Sequence, residues 1–268
     1  MKDNIIKQKV KEAYGKIALV GSSSECCCAP GECCGDSSSG NSNGSQTIMS
    51  PLQIAESIGY DINDLNSIPK SSILGIGCGA PVNFANIQEG EVVVDIGSGG
   101  GIDVFLSANK VKRGGKVIGV DMTDEMLKKA ADHAKENGYT NVEFKKGDIE
   151  KGIPINDNVA DVVISNCVIN LTIDKVAAFK EIYRILRGNG GRMVISDLVT
   201  SKEVVSSSAD SSKWCSCIDG ALTKQNYLDS IRKAGLSNIE VIEERLYMDG
   251  NDAGDRTITS LVIKAIKQ

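Results

Sequence analysis

The stretch Glu91–Gly101, EVVVDIGSGGG, constrains this chain more than any other. Val92 to Val94 form a short β-branched run that suits a buried strand. The run ends at Asp95 and meets glycines at 97, 99, 100 and 101 before the apolar Ile102, Val104, Phe105 and Leu106 open a helix. A strand, a glycine-rich turn and a helix in that order make the first unit of a nucleotide-type α/β fold, whose glycines let the backbone approach a ligand closely. A dinucleotide fingerprint needs a small residue at the third position of G-x-G-x-x-G, and counted from Gly97 that position is Ile102. The turn therefore suits a ligand with no pyrophosphate to cradle.

The rest of the chain continues the alternation. Lys116–Val120 is expected as the second strand, ending at Asp121, 20 residues beyond Gly101, where such folds place a carboxylate on ribose hydroxyls. Thr123 is expected to cap the next helix, with Met126, Leu127, Ala130, Ala131 and Ala134 inward, Gly138 at its end and His133 structural. Asn141–Phe144 is the third strand. Asp148 follows it, either facing an adenine base or serving as an ordinary loop acid. Ala160–Ser165 is the fourth strand and runs into Asn166 and Cys167, so both should face the crevice outside the strand ends. Thr172 is expected to cap a helix carrying Val176, Phe179, Ile182, Tyr183 and Leu186, and Arg192–Asp197 to form the fifth strand. An insertion over 199–222 holds Cys215, Cys217 and the sole tryptophan. A helix from Thr223 to Ala234 and strands over 239–248 and 257–264 complete the sheet.

Upstream, residues 2–20 have one apolar face at helical spacing, which fits either packing on the domain or a lid. Residues 21–47 have almost no large apolar groups and are expected to stay mobile unless an ion or a disulfide organises them. A short helix is expected over Pro51–Tyr60, with Ser50 as its N-cap. The organisation expected is a helix and Cys-rich segment over 1–50, a ligand-binding core over 51–199, and an insertion with sheet-closing strands over 200–268.

A formal charge of −5 and a pI near 5.1 argue against nucleic acid or a membrane surface as partner, and no stretch suits a membrane span. A cytoplasmic protein is expected. That compartment keeps thiols reduced, so nine cysteines point to ligands or redox groups rather than a disulfide framework. None are spaced C-x-x-C and there is one histidine, which leaves a zinc knuckle poorly supported. Five thiols, Cys26, Cys27, Cys28, Cys33 and Cys34, crowd the polar segment. Cys78, flanked by two glycines and so expected to be loosely packed, Cys167, and Cys217 or Cys215 can converge over the crevice. They are either unrelated buried cysteines or a soft, thiophilic centre.

The turn D-x-G-x-G-x-G resembles that of S-adenosylmethionine-dependent methyltransferases. More specifically, GIGCGAP at 75–81, VVVDIGSGGGIDVFLSA at 92–108, GVDMTDEML at 119–127, VVISNCVINL at 162–171 and CIDGAL at 217–222 resemble the arsenite S-adenosylmethionine methyltransferases over nearly the whole chain. The resemblance implies a Rossmann-like class I α/β sheet with helices on both faces. It also implies methylation of arsenite and methylarsenite held by Cys78, Cys167 and Cys217, for arsenic detoxification. The matching cofactor positions are Asp95, Gly97, Ser98, Gly99, Asp121, Met122, Ile149 and Asn166, with Asp148 a further candidate. One N-terminal thiol, Cys33 and Cys34 being the candidates retained, would pair with Cys78, and a thioredoxin- or glutathione-type reductant would restore the thiols. Two other readings remain open: a methyltransferase acting on carbon or oxygen of a small molecule, and a non-catalytic metalloid-sequestering protein.

Overall fold

The computed structural model describes residues 2–20, 49–204, 214–250 and 255–268. Seven strands form one sheet: β1 (Val92–Ile96), β2 (Lys116–Asp121), β3 (Val142–Lys146), β4 (Val162–Asn166), β5 (Arg192–Thr200), β6 (Ser237–Met248) and β7 (Ile258–Ile266), in the order β3-β2-β1-β4-β5-β7-β6. The first five are parallel, and β7 runs antiparallel between β5 and β6. The order reverses beside β1. The ends of β1 and β4 therefore face a crevice, where ligands of open α/β sheets sit.

The period-2 alternation of each strand feeds two cores. Val94, Val163 and Ile195 pack with Phe179 and Ile182 of α7 (Lys175–Ile185) and Tyr227 and Ile231 of α8 (Lys224–Lys233). Val93, Val162 and Val194 on the opposite face meet Val104, Ala108 and Val111 of α5 (Ile102–Val111). The remaining helices are α1 (Lys2–Val20), α2 (Pro51–Ser57), α3 (Ile62–Asn66), α4 (Pro81–Phe84) and α6 (Asp124–Glu136). Ser50 caps α2 in a reciprocal capping box with Gln53. Gly138 takes φ +71° just beyond α6, and Gly235 φ +97° just beyond α8.

Several local expectations are corrected. Thr123 occupies the N-cap of α6, but its side chain accepts no capping bond. Its N–H instead donates to Asp121 Oδ1 at 2.8 Å. Asp174, not Thr172, caps α7 by accepting from Ala177 N, while the Thr172 hydroxyl donates to the Ile169 carbonyl. On α6, Ala131 is exposed and Leu127 half-buried, because the inward stripe turns through His133 instead. The five N-terminal cysteines, with the expectation of mobility, lie outside the described residues.

Side chains tie the insertion to the rest of the domain. Arg256 Nη2 pairs with Asp219 at 2.9 Å in a buried ion pair, and Trp214 Nε1 donates to the Leu171 carbonyl. A Cβ on Gly220 would lie 2.0 Å from the Asn170 carbonyl oxygen, so only glycine lets the insertion lie this close to the end of β4.

Phe179 is fully buried and meets Tyr227 edge-on at a 5.6 Å centroid separation. Phe179→Ala is expected to cost about 3–5 kcal/mol in chemical denaturation, since it opens a cavity between α7 and α8. A loss under about 1 kcal/mol would contradict this packing.

Candidate active site

The glycine turn closes back on the sheet. Gly97 and Ser98 donate their N–H groups to the Val120 carbonyl at 2.7 and 3.0 Å, and Gly99 N donates to Asp121 Oδ2 at 2.9 Å. Gly97 has φ +72°, and a Cβ there would lie 2.2 Å from Val168 Cγ2. Backbone N–H groups thus fix both oxygens of Asp121, one from Gly99 and one from Thr123. Burial raises its carboxyl above the usual range, and the backbone bonds work against that rise.

One cavity gathers Asp95, Gly97, Ser98, Gly99, Asp121, Met122, Asp148, Ile149, Asn166 and Cys167. Helix α1 forms its roof through Lys7, Val10 and Tyr14 while Ile17 and Ala18 pack on Leu74 and Met126. The helix therefore both packs on the domain and covers the cavity. Asp148 accepts from Lys7 Nζ at 2.7 Å, and Glu150 pairs with the same ammonium at 2.6 Å. Burial opposes charge on Lys7, but its two carboxylate partners outweigh it and raise the group. Glu150 also accepts from Ile173 N and Asp174 N. At the other end of the roof Tyr14 Oη donates to the Cys215 carbonyl at 3.2 Å.

The thiols meet just beyond this cavity. Cys78 and Cys167 are joined as a disulfide, with their Cα atoms 6.0 Å apart. Cys78 is fully buried, contrary to the loose packing expected between two glycines. Its N–H donates to Asn166 Oδ1, and its carbonyl accepts from Ser260 Oγ at 2.6 Å and Arg245 Nη2 at 3.1 Å. Cys217 Sγ donates to the Cys167 carbonyl at 3.0 Å, and all three cysteines share an apolar cluster with Leu198, Ile218, Met248 and Ile258. The expected pairing of Cys78 with Cys33 or Cys34 falls outside the described residues, and Cys167 holds that position here.

Four residues of the site escaped the sequence reading. One oxygen of Asp197 and the Cys78 and Cys167 sulfurs lie within 4.8 Å of one another. Burial lifts Asp197 to about 6 against bonds from Leu198 N, Tyr227 Oη and Asn170 N. Lys175 is buried beside the cluster, donates to the Thr172 carbonyl and lies over Trp214. Burial lowers it to about 8. Tyr60 donates to Asp103 Oδ2 at 2.9 Å, and burial raises Asp103 to about 7. Asp197 lies within β5, three residues before its end, and Asp103 in the first turn of α5, where acids commonly meet the helix dipole, so neither position by itself signals a site.

Between about pH 3.8 and 7 the folded protein holds a proton on Asp103 that the unfolded chain has released. Asp197 acts likewise up to about pH 6. Stability without ligand is therefore expected to fall as pH rises through this window. Asp103→Asn should flatten the upper part of that fall in thermal melts, and an unchanged slope would contradict the raised carboxyl.

Among the described residues no helix is long and apolar enough to cross a membrane. The chain is 38% identical over 241 residues to the arsenite methyltransferase of Halobacterium salinarum, covering 88% of this chain and 58% of that protein. It is 35% identical over 181 residues to the mouse arsenite methyltransferase, covering 64% and 46% respectively. It thus spans only about half the length of these curated relatives. Among solved structures, the arsenic(III) S-adenosylmethionine methyltransferase of Chlamydomonas reinhardtii superposes with a TM-score of 0.64 at 29% identity, over 82% of this chain and 75% of that one. Residues 87–235, from the approach to β1 through the end of α8, match the methyltransferase-domain model, and the chain belongs to that family.

Proposed function

We propose that this chain transfers methyl groups from S-adenosylmethionine to trivalent arsenic, as arsenite or methylarsenite, held by Cys78, Cys167 and Cys217. One observation carries the proposal: three cysteines from distant segments share an apolar cluster immediately behind Asn166, which itself lines the cavity. The relatives and the solved structure named for this reaction support the same reading.

The cavity suits the cofactor. Asp121 offers a carboxylate for ribose hydroxyls, Met122 and Ile149 offer apolar contact to a base, and the Ser98 hydroxyl and Asp103 Oδ1 are buried without a partner among the described residues. Bound there, S-adenosylmethionine supplies an electrophilic methyl group. The chain's contribution is alignment and exclusion of water. Thiolate-bound arsenic keeps its lone pair and has no proton to lose, so no general base is required. In agreement with this, Lys7, a cation on the cavity wall, is engaged by Asp148 and Glu150.

The Cys78–Cys167 disulfide is the oxidised form of two of these ligands. Two electrons and two protons from a thioredoxin- or glutathione-type thiol convert it to the arsenic-binding state. Methylation formally oxidises arsenic to the pentavalent state. Return to the trivalent state takes two electrons, which two protein thiols supply as they form a disulfide. Cys33 and Cys34 are assigned to that turnover, and a reducing cytoplasm suits it. The work then divides into thiol turnover by 1–50, cofactor binding by 51–199, and completion of the acceptor site by 200–268.

Incubation with arsenite, S-adenosylmethionine and a thiol reductant, followed by arsenic speciation, is expected to yield methylated arsenic. Cys78→Ser, Cys167→Ser and Cys217→Ser should each abolish that product while cofactor binding persists. Full activity in the Cys167 variant would sink the three-thiol site, and tight arsenite binding without product would leave only sequestration.

A further inference from the structure

Lys175, at the start of α7, is a buried ammonium that the methyl transfer described above does not use. It is 6% exposed, and among the described residues no carboxylate lies within ion-pair distance of it. Its Nζ donates to the Thr172 carbonyl at 2.8 Å and to that of Asn170 at 3.4 Å, and it lies over the Trp214 ring, 5.7 Å from the centroid. Lysine is almost never buried this deeply without a paired charge. Burial lowers it, while Asp197 and Cys217 favour its charge from farther off.

The contact with Trp214 gives the ammonium a use. A cation is attracted to the negative face of an indole, most strongly where water is excluded, and Trp214 is 5% exposed. The indole Nε1 donates to the Leu171 carbonyl at 3.2 Å. The carbonyls of three consecutive residues therefore build one seat: those of Asn170 and Thr172 hold Lys175, and that of Leu171 holds the ring. From this seat to the third thiol is a single step. The Trp214 carbonyl accepts from Cys217 N at 2.9 Å, and Cys217, at φ +65°, has a backbone that surrounding contacts must hold. Cys167 follows β4 directly, and Cys78 is gripped by Asn166, Ser260 and Arg245. Cys217 comes from the insertion and needs a seat of its own.

We propose that Lys175 is a positioning residue for the acceptor site: its ammonium seats the Trp214 ring and, through the Trp214 carbonyl, the left-handed turn that carries Cys217. This rests on the three-thiol reading above and goes beyond it by naming what holds the third ligand in place.

The test compares the full chain with Lys175→Met, which keeps the length of the side chain without its charge, and with Lys175→Arg, which keeps the charge. Trp214 is the only tryptophan of the chain, so its emission reports on the turn directly. Lys175→Met is expected to red-shift that emission and open the indole to quenching by acrylamide. It should also raise the KM for arsenite on the order of 10-fold while leaving the KM for S-adenosylmethionine unchanged. Lys175→Arg should recover much of both readouts. Should Lys175→Met fail to fold, seen as lost binding of S-adenosylhomocysteine, Trp214→Leu replaces it in the kinetic arm with the same split expected. Unchanged emission in Lys175→Met overturns the proposal. So does a parallel rise in KM for arsenite and cofactor, or an arginine variant no better than the methionine one. If the unmodified chain forms no methylated arsenic, the function proposed above fails instead, and the emission arm alone decides the role of Lys175.

Discussion

The side-chain amide of Asn166 joins the two halves of this site. Its Nδ2 donates to Tyr60 Oη and to the Gly79 carbonyl, and its Oδ1 accepts from Cys78 N. A half-buried amide paired this fully holds a single orientation, because any rotation strands several polar groups at once. The bonds also explain two of the glycines. A Cβ on Gly77 would lie 2.9 Å from Asn166 Nδ2, and one on Gly79 would lie 2.2 Å from Ser196 Oγ. The GCG sequence is thus what allows the thiol loop to lie flat across the ends of β4 and β5.

The scaffold was legible because it rests on local chemistry. β-branched runs, glycine positions and the 3.6-residue stripes located the strands and helices, and the failure at Ile102 separated this turn from a dinucleotide site. The misplacements have local causes too. Thr172 and Asp174 are both competent caps two residues apart, and the single turn of 3-10 helix at Ile169–Leu171 uses the Thr172 hydroxyl, which leaves the cap to Asp174. Less of the site was legible. Lys7 reaches Asp148 across 141 residues and Tyr60 reaches Asp103 across 43. Nothing in the spacing of these residues announces the pairing. Asp197 was visible only as the expected end of a strand, since its neighbours, Cys78, Cys167 with Asn170, and Tyr227, come from three other segments.

Charge gives the cavity a direction. Lys7 and its two carboxylates occupy one side, and Asp95 and Asp103 occupy the side nearer the thiols with no ion pair among the described residues. The second side, with no ion pair to compete for its acids, is the one that a cationic cofactor completes. Helix α1 spans both, with Lys7 over the acids after β3 and Tyr14 on the Cys215 carbonyl. Entry of a cofactor and the arrangement of the late insertion therefore share one roof.

The backbone at the thiols is strained in a way that favours function over stability. Cys167 has φ +56° and Cys217 φ +65°, a left-handed conformation that costs a residue with a Cβ about 1 kcal/mol or more. In each case surrounding contacts hold it. Cys167 N donates to the Ser196 carbonyl, and Cys217 N donates to the Trp214 carbonyl while its thiol bonds to the Cys167 carbonyl. Glycine would relieve the strain at either position but would remove the sulfur. Retaining a side chain on such backbone makes sense when the side chain is needed for its chemistry, and a left-handed residue immediately after a strand turns its sulfur away from the sheet. The glycine turn after β1 and Cys167 after β4 thus differ: where a ligand can approach the backbone the side chain is absent, and at Cys167 the left-handed strain is kept together with the side chain.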